Sequence, residues 1–410
     1  MILFHNISIK LYYFTIKIVS PFNEKAKQWL LGRRNIFEEL QSSINKNDKI
    51  AWFHTASLGE FEQGRPVIEG FREKYPDYKI LLTFFSPSGY EIQKKYNKAD
   101  YVFYLPIDSK KNAKKFIEII NPRVAFFVKY EFWYYYLKQL SKNNIPTYIF
   151  SAIFRDNQLF FKWYGAWYRN MLKYFTKIYV QDNNSKELLI KININNVEIG
   201  GDTRFDRVYS LSKNVKPIKI VEDFVKNSFV IIAGSTWLKD EEIIAEYIKS
   251  SSNDIKWIIA PHEVHTSHIN KILKIINHPI LKFSEANIDN IKNSNILLID
   301  SIGLLSSLYQ YGDIAYIGGG FGVGIHNTLE AATFGIPVVF GPNNKRFKEA
   351  QDLIRISSGY SIKDYNTFKS VLNKLISDEN LKNKSGESAK KYVENMSGGT
   401  TKILSQLPVL

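Results

Sequence analysis

Cysteine is absent from this 410-residue sequence, and methionine occurs only three times. The absence of cysteine excludes disulfide bonds, thiolate metal ligands and a cysteine nucleophile, and it fits a reducing compartment. The sequence also lacks the Asp-x-Asp motif with which many transferases hold a metal-bound diphosphate. We therefore expect a protein that uses neither a resident metal ion nor another cofactor.

A long uncharged apolar run is also missing, although the N-terminus comes close to one. Residues 1–22 are rich in Ile, Leu, Phe and Tyr, but they include Lys10 and Lys17. The segment is short and charged for a membrane span, and it lacks the basic start and the cleavage site of a signal peptide. Its aromatic and basic residues predict a helix that lies in the interface of an anionic membrane. The alternative is a helix that packs on the first domain.

Length and charge narrow the class of protein. A chain of 410 residues exceeds one ordinary core, so we expect two domains of about 200 residues each. The net charge of +15 suits a phosphate-rich partner, either nucleic acid or an anionic membrane. The lysines are scattered and no aromatic-basic RNA motif accompanies them, which argues against nucleic acid.

Strand-like and helix-like runs alternate in both halves of the chain. In the first half the apolar, β-branched or aromatic runs predict parallel strands at 49–54, 79–85, 101–106, 124–128, 147–151 and 177–180. In the second half the same pattern predicts strands at 229–233, 256–260, 296–300, 314–318 and 337–341. This is an α/β pattern of two doubly wound, Rossmann-like domains, which we expect to face each other across a cleft. The expected divisions are an N-terminal helix at 1–22, a first domain at 23–210, a linker at 211–222 and a second domain at 223–410.

The glycine-rich stretch from Ile314 to Asn344 is the most informative part of the sequence. A short apolar run is followed by Gly318, Gly319 and Gly320, and then by a polar turn and a helical segment that ends at Gly335. A glycine loop that enters a helix N-terminus offers N–H groups to a phosphate, and Glu330 can accept hydrogen bonds from a ribose. The alternative is a tight strand-to-helix crossover without a ligand.

In the first half, charged residues follow predicted strands, where ligands of α/β proteins bind. Glu60 comes after the first strand, at a helix start. It can serve as a general base, or it can simply complement the helix dipole. Glu131 follows the 124–128 strand, where the alternative is a salt-bridged helix start. Arg204, near the end of the first domain, can bind a phosphate or carboxylate, or it can form an interdomain ion pair.

In the second half, Ser235 and Thr236 follow a strand and suit a phosphate or a carboxylate. Pro261 and His262 follow the next strand, and two further histidines come at positions 265 and 268. The i, i+3, i+6 spacing of the three histidines is not that of the His-Glu-x-x-His zinc motif, so we expect no metal there.

Taken together, these motifs resemble the 3-deoxy-D-manno-octulosonic acid (Kdo) transferases that modify the lipid A precursor. The resemblance extends over nearly the whole chain, and HTASLGE and the HNTLEA region are its most specific parts. It implies a metal-independent, inverting glycosyltransferase of the GT-B type, located on the cytoplasmic face of the inner membrane, which takes part in lipopolysaccharide biosynthesis. The motifs are HTASLGE (54–60), KYEFW (129–133), GDTRFD (201–206), GST (234–236), APHEVH (260–265), DSIG (300–303) and GGGFGVGIHNTLEAATFGIPVVFGPN (318–343).

The resemblance also implies roles for particular residues. Glu60 is the expected general base, and Glu131 and Arg204 are the expected transition-state stabilisers. Two positions depart from the family pattern, since the family often has Pro-Arg-His where this chain has Pro261-His262-Glu263 and often has Lys in place of Arg204. The residues expected to bind the donor, CMP-Kdo, are Ser235, Thr236, Pro261, His262, Ile302, Gly303, Leu304, Gly319, Gly320, Asn327, Thr328, Leu329 and Glu330.

The expected partners are CMP-Kdo as donor, lipid IVA as acceptor and the anionic membrane surface, with no nucleic acid. A monophosphate leaving group needs N–H dipoles and cations rather than a diphosphate-bound metal. Inversion needs one carboxylate to take the acceptor's proton. The alternative within the enzymes is a GT-B glycosyltransferase or epimerase that uses a UDP-sugar.

Overall fold

The computed structural model describes residues 1–251 and 255–408 and divides the chain into two compact units. The first unit comprises residues 1–207 and 397–410, and the second comprises residues 208–396. Each unit is built on one seven-stranded sheet in which every pair of neighbouring strands is parallel. The prediction of two doubly wound α/β domains is therefore confirmed.

The first sheet has the strand order β3-β2-β1-β4-β5-β6-β7. Its central strands are buried along most of their length, as expected for a parallel sheet covered on both faces by helices. The strands are β1 Ile50–Thr55, β2 Lys79–Phe84, β3 Tyr101–Tyr104, β4 Val124–Val128, β5 Thr147–Ala152, β6 Lys177–Val180 and β7 Val197–Ile199. The helices in this part of the chain are α1 Ile2–Val19, α2 Glu24–Leu31, α3 Ile36–Ser43, α4 Leu58–Lys74, α5 Pro87–Gln93, α6 Lys110–Ile120, α7 Tyr134–Lys142, α8 Ala166–Leu172, α9 Asn183–Lys191 and α10 Arg204–Lys213.

The second sheet has the strand order β10-β11-β9-β8-β12-β13-β14. Its core is rich in isoleucine and leucine, with the large rings of Trp257 and Tyr316 fully or almost fully buried. The strands are β8 Phe229–Thr236, β9 Ile255–Pro261, β10 Ile280–Lys282, β11 Ile296–Leu298, β12 Ile314–Ile317, β13 Val338–Phe340 and β14 Gly359–Ser361. The remaining helices are α11 Lys219–Val225, α12 Leu238–Ser250, α13 Thr266–Ile275, α14 Leu305–Leu308, α15 Leu329–Ala332, α16 Lys348–Arg355, α17 Tyr365–Ser377, α18 Glu379–Met396 and α19 Gly399–Ser405.

The predicted strands correspond to strands of the structure, and three further strands were not predicted. The unpredicted ones are β7, β10 and β14, each three residues long and each at the edge of its sheet. An edge strand is covered less fully than a central one, so its sequence need not be an apolar run. For this reason the hydrophobic pattern identifies the central strands and the edge strand β3, and it misses the other three edge strands.

The expected boundary of the second domain is wrong at its C-terminal end. Residues 397–410 belong to the first unit, where Ile403 and Leu404 of α19 are buried in the same core cluster as Phe61 and Val67 of α4. The expected linker at 211–222 is also largely helical, since α10 extends to Lys213 and α11 begins at Lys219. The chain therefore enters the second unit near residue 208 and returns to the first near residue 397.

The N-terminal helix α1 packs on the first unit by one side. The ring of His5 contacts Tyr134, Tyr135 and Trp167, and its Nε2 lies 3.2 Å from the buried carboxylate of Asp108. None of the 18 residues of α1 is buried, and the side away from these contacts exposes large apolar side chains. Across residues 1–251 and 255–408, no helix has the length and apolar character required to cross a bilayer.

Candidate active site

The first sheet has its topological switch point between β1 and β4. These strands are neighbours, but β1 continues to β2 on one side while β4 continues to β5 on the other. Ligands of doubly wound sheets bind beyond the carboxyl ends of the strands at such a point. Glu60 lies in the helix turn that follows β1 and Glu131 in the loop that follows β4, so the structure brings these two predicted residues to the same edge of the sheet.

Glu60 lies in the first turn of α4, as predicted, and is half-buried. The hydroxyl of Ser57, the N-cap residue, donates a hydrogen bond to Glu60 Oε2. Burial raises the pKa of Tyr130, and the nearby charge of Glu60 adds to this effect. Glu60 therefore lies within electrostatic reach of the loop after β4. A carboxylate in the first turn also complements the helix dipole, so both interpretations of Glu60 fit its position.

Glu131 is buried in the loop between β4 and α7, with 8% of its surface exposed. Its Oε2 accepts a 2.5 Å hydrogen bond from the indole nitrogen of Trp133 and lies 3.3 Å from Nε2 of His54. Helix α7 begins only at Tyr134, three residues after Glu131. The carboxylate is held by an indole and an imidazole rather than by a salt bridge to Lys or Arg at a helix start.

Arg204, the first residue of α10, forms two hydrogen bonds with Oδ2 of Asp202, at 3.0 and 2.7 Å. Asp202 in turn accepts a 2.7 Å hydrogen bond from the side-chain amide of Gln63 in α4. These residues all belong to the first unit, so this ion pair is not an interdomain one. The side chain of Arg204 is 36% exposed. Through Asp202 and Gln63 it is connected to α4, the helix whose first turn contains Glu60.

The second sheet has its switch point between β8 and β12. The loop after β12 is the predicted glycine-rich segment, and the structure shows why glycine is needed there. A Cβ on Gly318 would lie 2.3 Å from the backbone oxygen of Ser235, and one on Gly320 would lie 2.6 Å from the backbone of Gly341. The loop therefore packs backbone against backbone, which any side chain would prevent.

This loop is not the open row of N–H donors that we expected. Its amide groups at positions 318, 322, 324 and 326 donate to carbonyl groups of the unit, and that of Gly319 donates to the carboxylate of Asp240. The helix that follows, α15, has only four residues, which is shorter than predicted. A helix dipole of the expected strength is therefore missing, because the dipole grows from aligned peptide units.

Three aromatic rings stack at this switch point. Trp237 lies 4.7 Å from His262, and His262 lies 4.4 Å from His326, measured between ring centroids. The indole nitrogen of Trp237 donates a 3.0 Å hydrogen bond to Nε2 of His326. Burial, with the nearby His262, lowers the pKa of His326 to about 4, so its ring is neutral and accepts this hydrogen bond. His262 itself is exposed, as a residue that contacts a ligand should be.

The other predicted residues of the second unit fall into two groups. Thr236 is fully buried and its hydroxyl donates to Glu241, which favours a structural role for this side chain. Ser235, like Thr236, ends β8 instead of forming the predicted loop. The remaining residues line the edge of the sheet or the turns beyond it, where Ile302 is 87% exposed and Asn327 donates to Glu330 at 3.0 Å. The other members of this group are Pro261, Gly303, Leu304, Gly319, Gly320, Thr328 and Leu329.

The three clustered histidines have separate partners. His262 belongs to the aromatic stack, His265 pairs with Glu263 at 3.1 Å, and His268 lies 3.0 Å from the buried Glu241. Within the described part of the chain, no group of three His, Asp or Glu side chains has the geometry of a metal site.

The sequence of this chain is similar to those of known proteins. Residues 31–207 match the family model described as 3-deoxy-D-manno-octulosonic-acid transferase (kdotransferase). The 3-deoxy-D-manno-octulosonic acid transferase of Aquifex aeolicus is 27% identical over 340 residues, which cover 81% of this chain and 88% of that protein. Over most of its length the chain is therefore similar to Kdo transferases. Glu60, Glu131 and Arg204 all lie within the residues that match the Kdo transferase model.

A bifunctional glycosyltransferase/methyltransferase of Fusobacterium nucleatum is also similar to this chain, at 25% identity over 394 residues. The match covers 93% of this chain but only 60% of that relative's length. Among solved structures, a putative UDP-N-acetylglucosamine 2-epimerase from Listeria monocytogenes superposes with a TM-score of 0.62 at 12% identity, covering 87% of this chain and 95% of that one. The likeness shows the GT-B fold.

Several residues that the structure places at the two switch points were not predicted from the sequence. His54 and Trp133 contact Glu131, Thr83 contacts His54, and Trp237 and His326 flank His262. A signal was present, because each of them lies within a predicted strand, or within or directly after a motif that the resemblance uses. What the sequence does not give is which strands are neighbours, and the contacts depend on that order.

Proposed function

We propose that this protein transfers Kdo from CMP-Kdo to lipid IVA with inversion at the anomeric carbon. In this reaction the acceptor hydroxyl attacks the anomeric carbon, the bond between that carbon and the phosphate oxygen breaks, and CMP leaves with the electron pair. Glu60 takes the proton of the attacking hydroxyl. One carboxylate suffices, because no covalent intermediate with the sugar is formed.

The observation that carries this proposal is the pair of carboxylates at one switch point. Glu60 and Glu131 follow the adjacent strands β1 and β4, within the residues that match the Kdo transferase model. The two environments differ, since Glu60 is half-buried with a hydroxyl partner and Glu131 is buried with an indole and an imidazole. This difference supports the division of roles, in which the more accessible Glu60 meets the acceptor and Glu131 stabilises the transition state.

The second unit supports binding of the donor through the loops after β8, β9 and β12. The stacked rings of Trp237, His262 and His326 offer an aromatic surface, and His262 stands where the family often has arginine. A histidine can still donate a hydrogen bond to a phosphate oxygen. We propose that His262, with Asn327 and Glu330, contacts the cytidine monophosphate part of the donor, and that the reaction needs no metal ion.

Helix α1 supports action at the cytoplasmic face of the inner membrane. Its outer side exposes Leu3, Phe4, Leu11 and Phe14, each by more than half of its surface. Lys10 and Lys17 lie on the same helix and can approach anionic headgroups. We propose that this helix lies in the membrane interface and brings the first unit to its acylated acceptor.

The direct test is a mass measurement of the product. Incubation of the purified protein with CMP-Kdo and lipid IVA should give a product heavier by one or more Kdo units and should release CMP. CMP should also raise the melting temperature more than UDP or UDP-N-acetylglucosamine. If a UDP-sugar stabilises the protein and CMP does not, the alternative of a UDP-sugar enzyme replaces this proposal.

A further inference from the structure

Next to Glu131, the first unit contains a row of buried polar groups that connects β2, β1 and the loop after β4. The indole nitrogen of Trp52 in β1 donates a 2.8 Å hydrogen bond to the hydroxyl oxygen of Thr83 in β2. The same oxygen lies 2.9 Å from Nδ1 of His54 in β1. At the far side of the imidazole, Nε2 lies 3.3 Å from Oε2 of Glu131, which follows β4.

The direction of the hydrogen bonds in this row follows from the chemistry of its first member. An indole nitrogen can only donate, so Thr83 must accept from Trp52 and has its own proton left to give. The other acceptor near that hydroxyl is the carbonyl oxygen of Phe53, at 3.4 Å, whereas Nδ1 of His54 lies at 2.9 Å. The shorter distance favours donation to Nδ1. A neutral imidazole that accepts at Nδ1 carries its proton on Nε2.

The environment of His54 offers the proton on Nε2 one acceptor, the carboxylate of Glu131. His54, Thr83 and Trp52 are fully buried, and the rings of Trp52, Phe127 and Trp133 surround the imidazole. Among the described contacts of His54, Glu131 is the charged group. In this structure Nε2 of His54 lies 3.3 Å from Oε2 of Glu131, but the two groups are not aligned as a full hydrogen bond requires. Such contacts often shorten when substrate binds.

We propose that Trp52 and Thr83 fix the tautomer of His54 so that its Nε2–H is directed at Glu131, which makes His54 a positioning residue for that carboxylate. This inference deepens the proposed function and rests on it, because it assumes that Glu131 acts in the transfer. Trp133 donates to the same oxygen at 2.5 Å. When the contact between Nε2 and Oε2 shortens, both donors hold Oε2 from the protein side, and the second carboxylate oxygen is left for the substrate.

The tautomer can be measured without any activity. In a ¹H–¹⁵N NMR correlation of the ¹⁵N-histidine-labelled protein, the His54 ring, assigned by the loss of its signals in His54→Gln, should show its proton on Nε2 and a bare Nδ1. A proton on Nδ1 alone would overturn the inference whether or not the protein transfers Kdo. Conversely, an Nε2–H ring in a protein without transferase activity would leave the tautomer standing and remove the proposed function.

Kinetics of Thr83→Val then test the role of that tautomer. Loss of the hydroxyl removes the donor to Nδ1 and leaves the ring less firmly oriented toward Glu131, so we expect kcat to fall about tenfold with little change in KM for CMP-Kdo. The ¹H–¹⁵N spectrum of this variant should show that Nδ1 of His54 no longer accepts a hydrogen bond. A merely structural role for Thr83 predicts a loss of kcat without this change in the His54 ring.

Three further variants make this test decisive. His54→Gln removes the ring and should lose at least as much kcat as Thr83→Val. Thr83→Ser retains the hydroxyl and should keep the kcat and the His54 ring signals of the wild type. Thr147→Val removes a buried hydroxyl from β5 of the same sheet, where Thr147 donates to the carbonyl of Ile145, and it should match the wild type throughout. Unchanged kcat and ring signals in Thr83→Val, or an equal change in Thr147→Val, would overturn the inference.

Discussion

The outer side of α1 permits a quantitative prediction for binding to membranes. Leu3 and Leu11 are 69% and 63% exposed and lie eight residues apart on that side of the helix. Full burial of a leucine side chain is worth about 1.5–3 kcal/mol, so burial of the exposed two-thirds in a bilayer interface contributes about 1–2 kcal/mol per residue. The double substitution Leu3→Gln/Leu11→Gln should therefore weaken membrane binding by about 2–4 kcal/mol, or roughly 30- to 800-fold.

The substitution leaves the fold intact for two reasons. Glutamine forms helices almost as well as leucine. The contacts of α1 with the first unit also come from other residues, such as His5 and Tyr12. The melting temperature should accordingly stay within a few degrees of that of the wild type.

The assay is co-sedimentation with vesicles that contain phosphatidylglycerol, at several lipid concentrations. The matched control is Ile92→Gln/Ile190→Gln, since these residues are 62% and 46% exposed on helices α5 and α9 of the same unit. The control should bind like the wild type. If Leu3→Gln/Leu11→Gln also binds like the wild type, or if the control loses as much, α1 is not the membrane-binding surface.

Three other predictions concern the second unit and the chemistry. Because the pKa of His326 is lowered to about 4 from an ordinary 6.5, the folded state favours the neutral ring, and the resulting stability is present above about pH 6.5 and declines as the pH falls toward 4. His326→Gln should therefore reduce the loss of melting temperature between pH 7 and 5, and an unchanged slope would contradict this account. Asp240→Ala should destabilise the protein by at least about 3 kcal/mol in urea unfolding, because three donors lose a buried acceptor, whereas the exposed Glu387→Ala should have almost no effect. Transfer activity should survive dialysis against EDTA, and a loss that a divalent ion restores would contradict a metal-independent reaction.

The fold could be predicted from the sequence wherever burial dictates composition. Residues 124–128 and 177–180 are predicted as strands with the same bounds that β4 and β6 have, because parallel strands buried on both faces must be apolar and β-branched or aromatic. The three-residue edge strands gave no comparable signal. The return of residues 397–410 to the first unit was also missed, because Ile403 and Leu404 look the same whichever core they enter.

The candidate site was predicted only in part, for a related reason. Glu60 and Glu131 could be found because each follows a strong strand signal, and ligands bind at such ends. The glycine-rich loop was located correctly, but its amides proved to be engaged within the unit, since hydrogen-bond partners such as Asp240 lie 79 residues away in sequence. The surroundings of Glu131 depend on Thr83 and His54 being on neighbouring strands, and no local pattern in the sequence gives that arrangement.

The most direct test of the proposed mechanism is the turnover of Glu60→Gln with CMP-Kdo and lipid IVA, followed by mass spectrometry. The amide oxygen can still accept a hydrogen bond from the hydroxyl of Ser57. It cannot take a proton from the hydroxyl of lipid IVA, so kcat should fall by about 10²- to 10⁴-fold. Stabilisation by CMP should remain unchanged, and Glu62→Gln, on the same helix, should transfer Kdo like the wild type. If Glu60→Gln retains kcat within about tenfold of the wild type, Glu60 is not the general base and the mechanism is wrong.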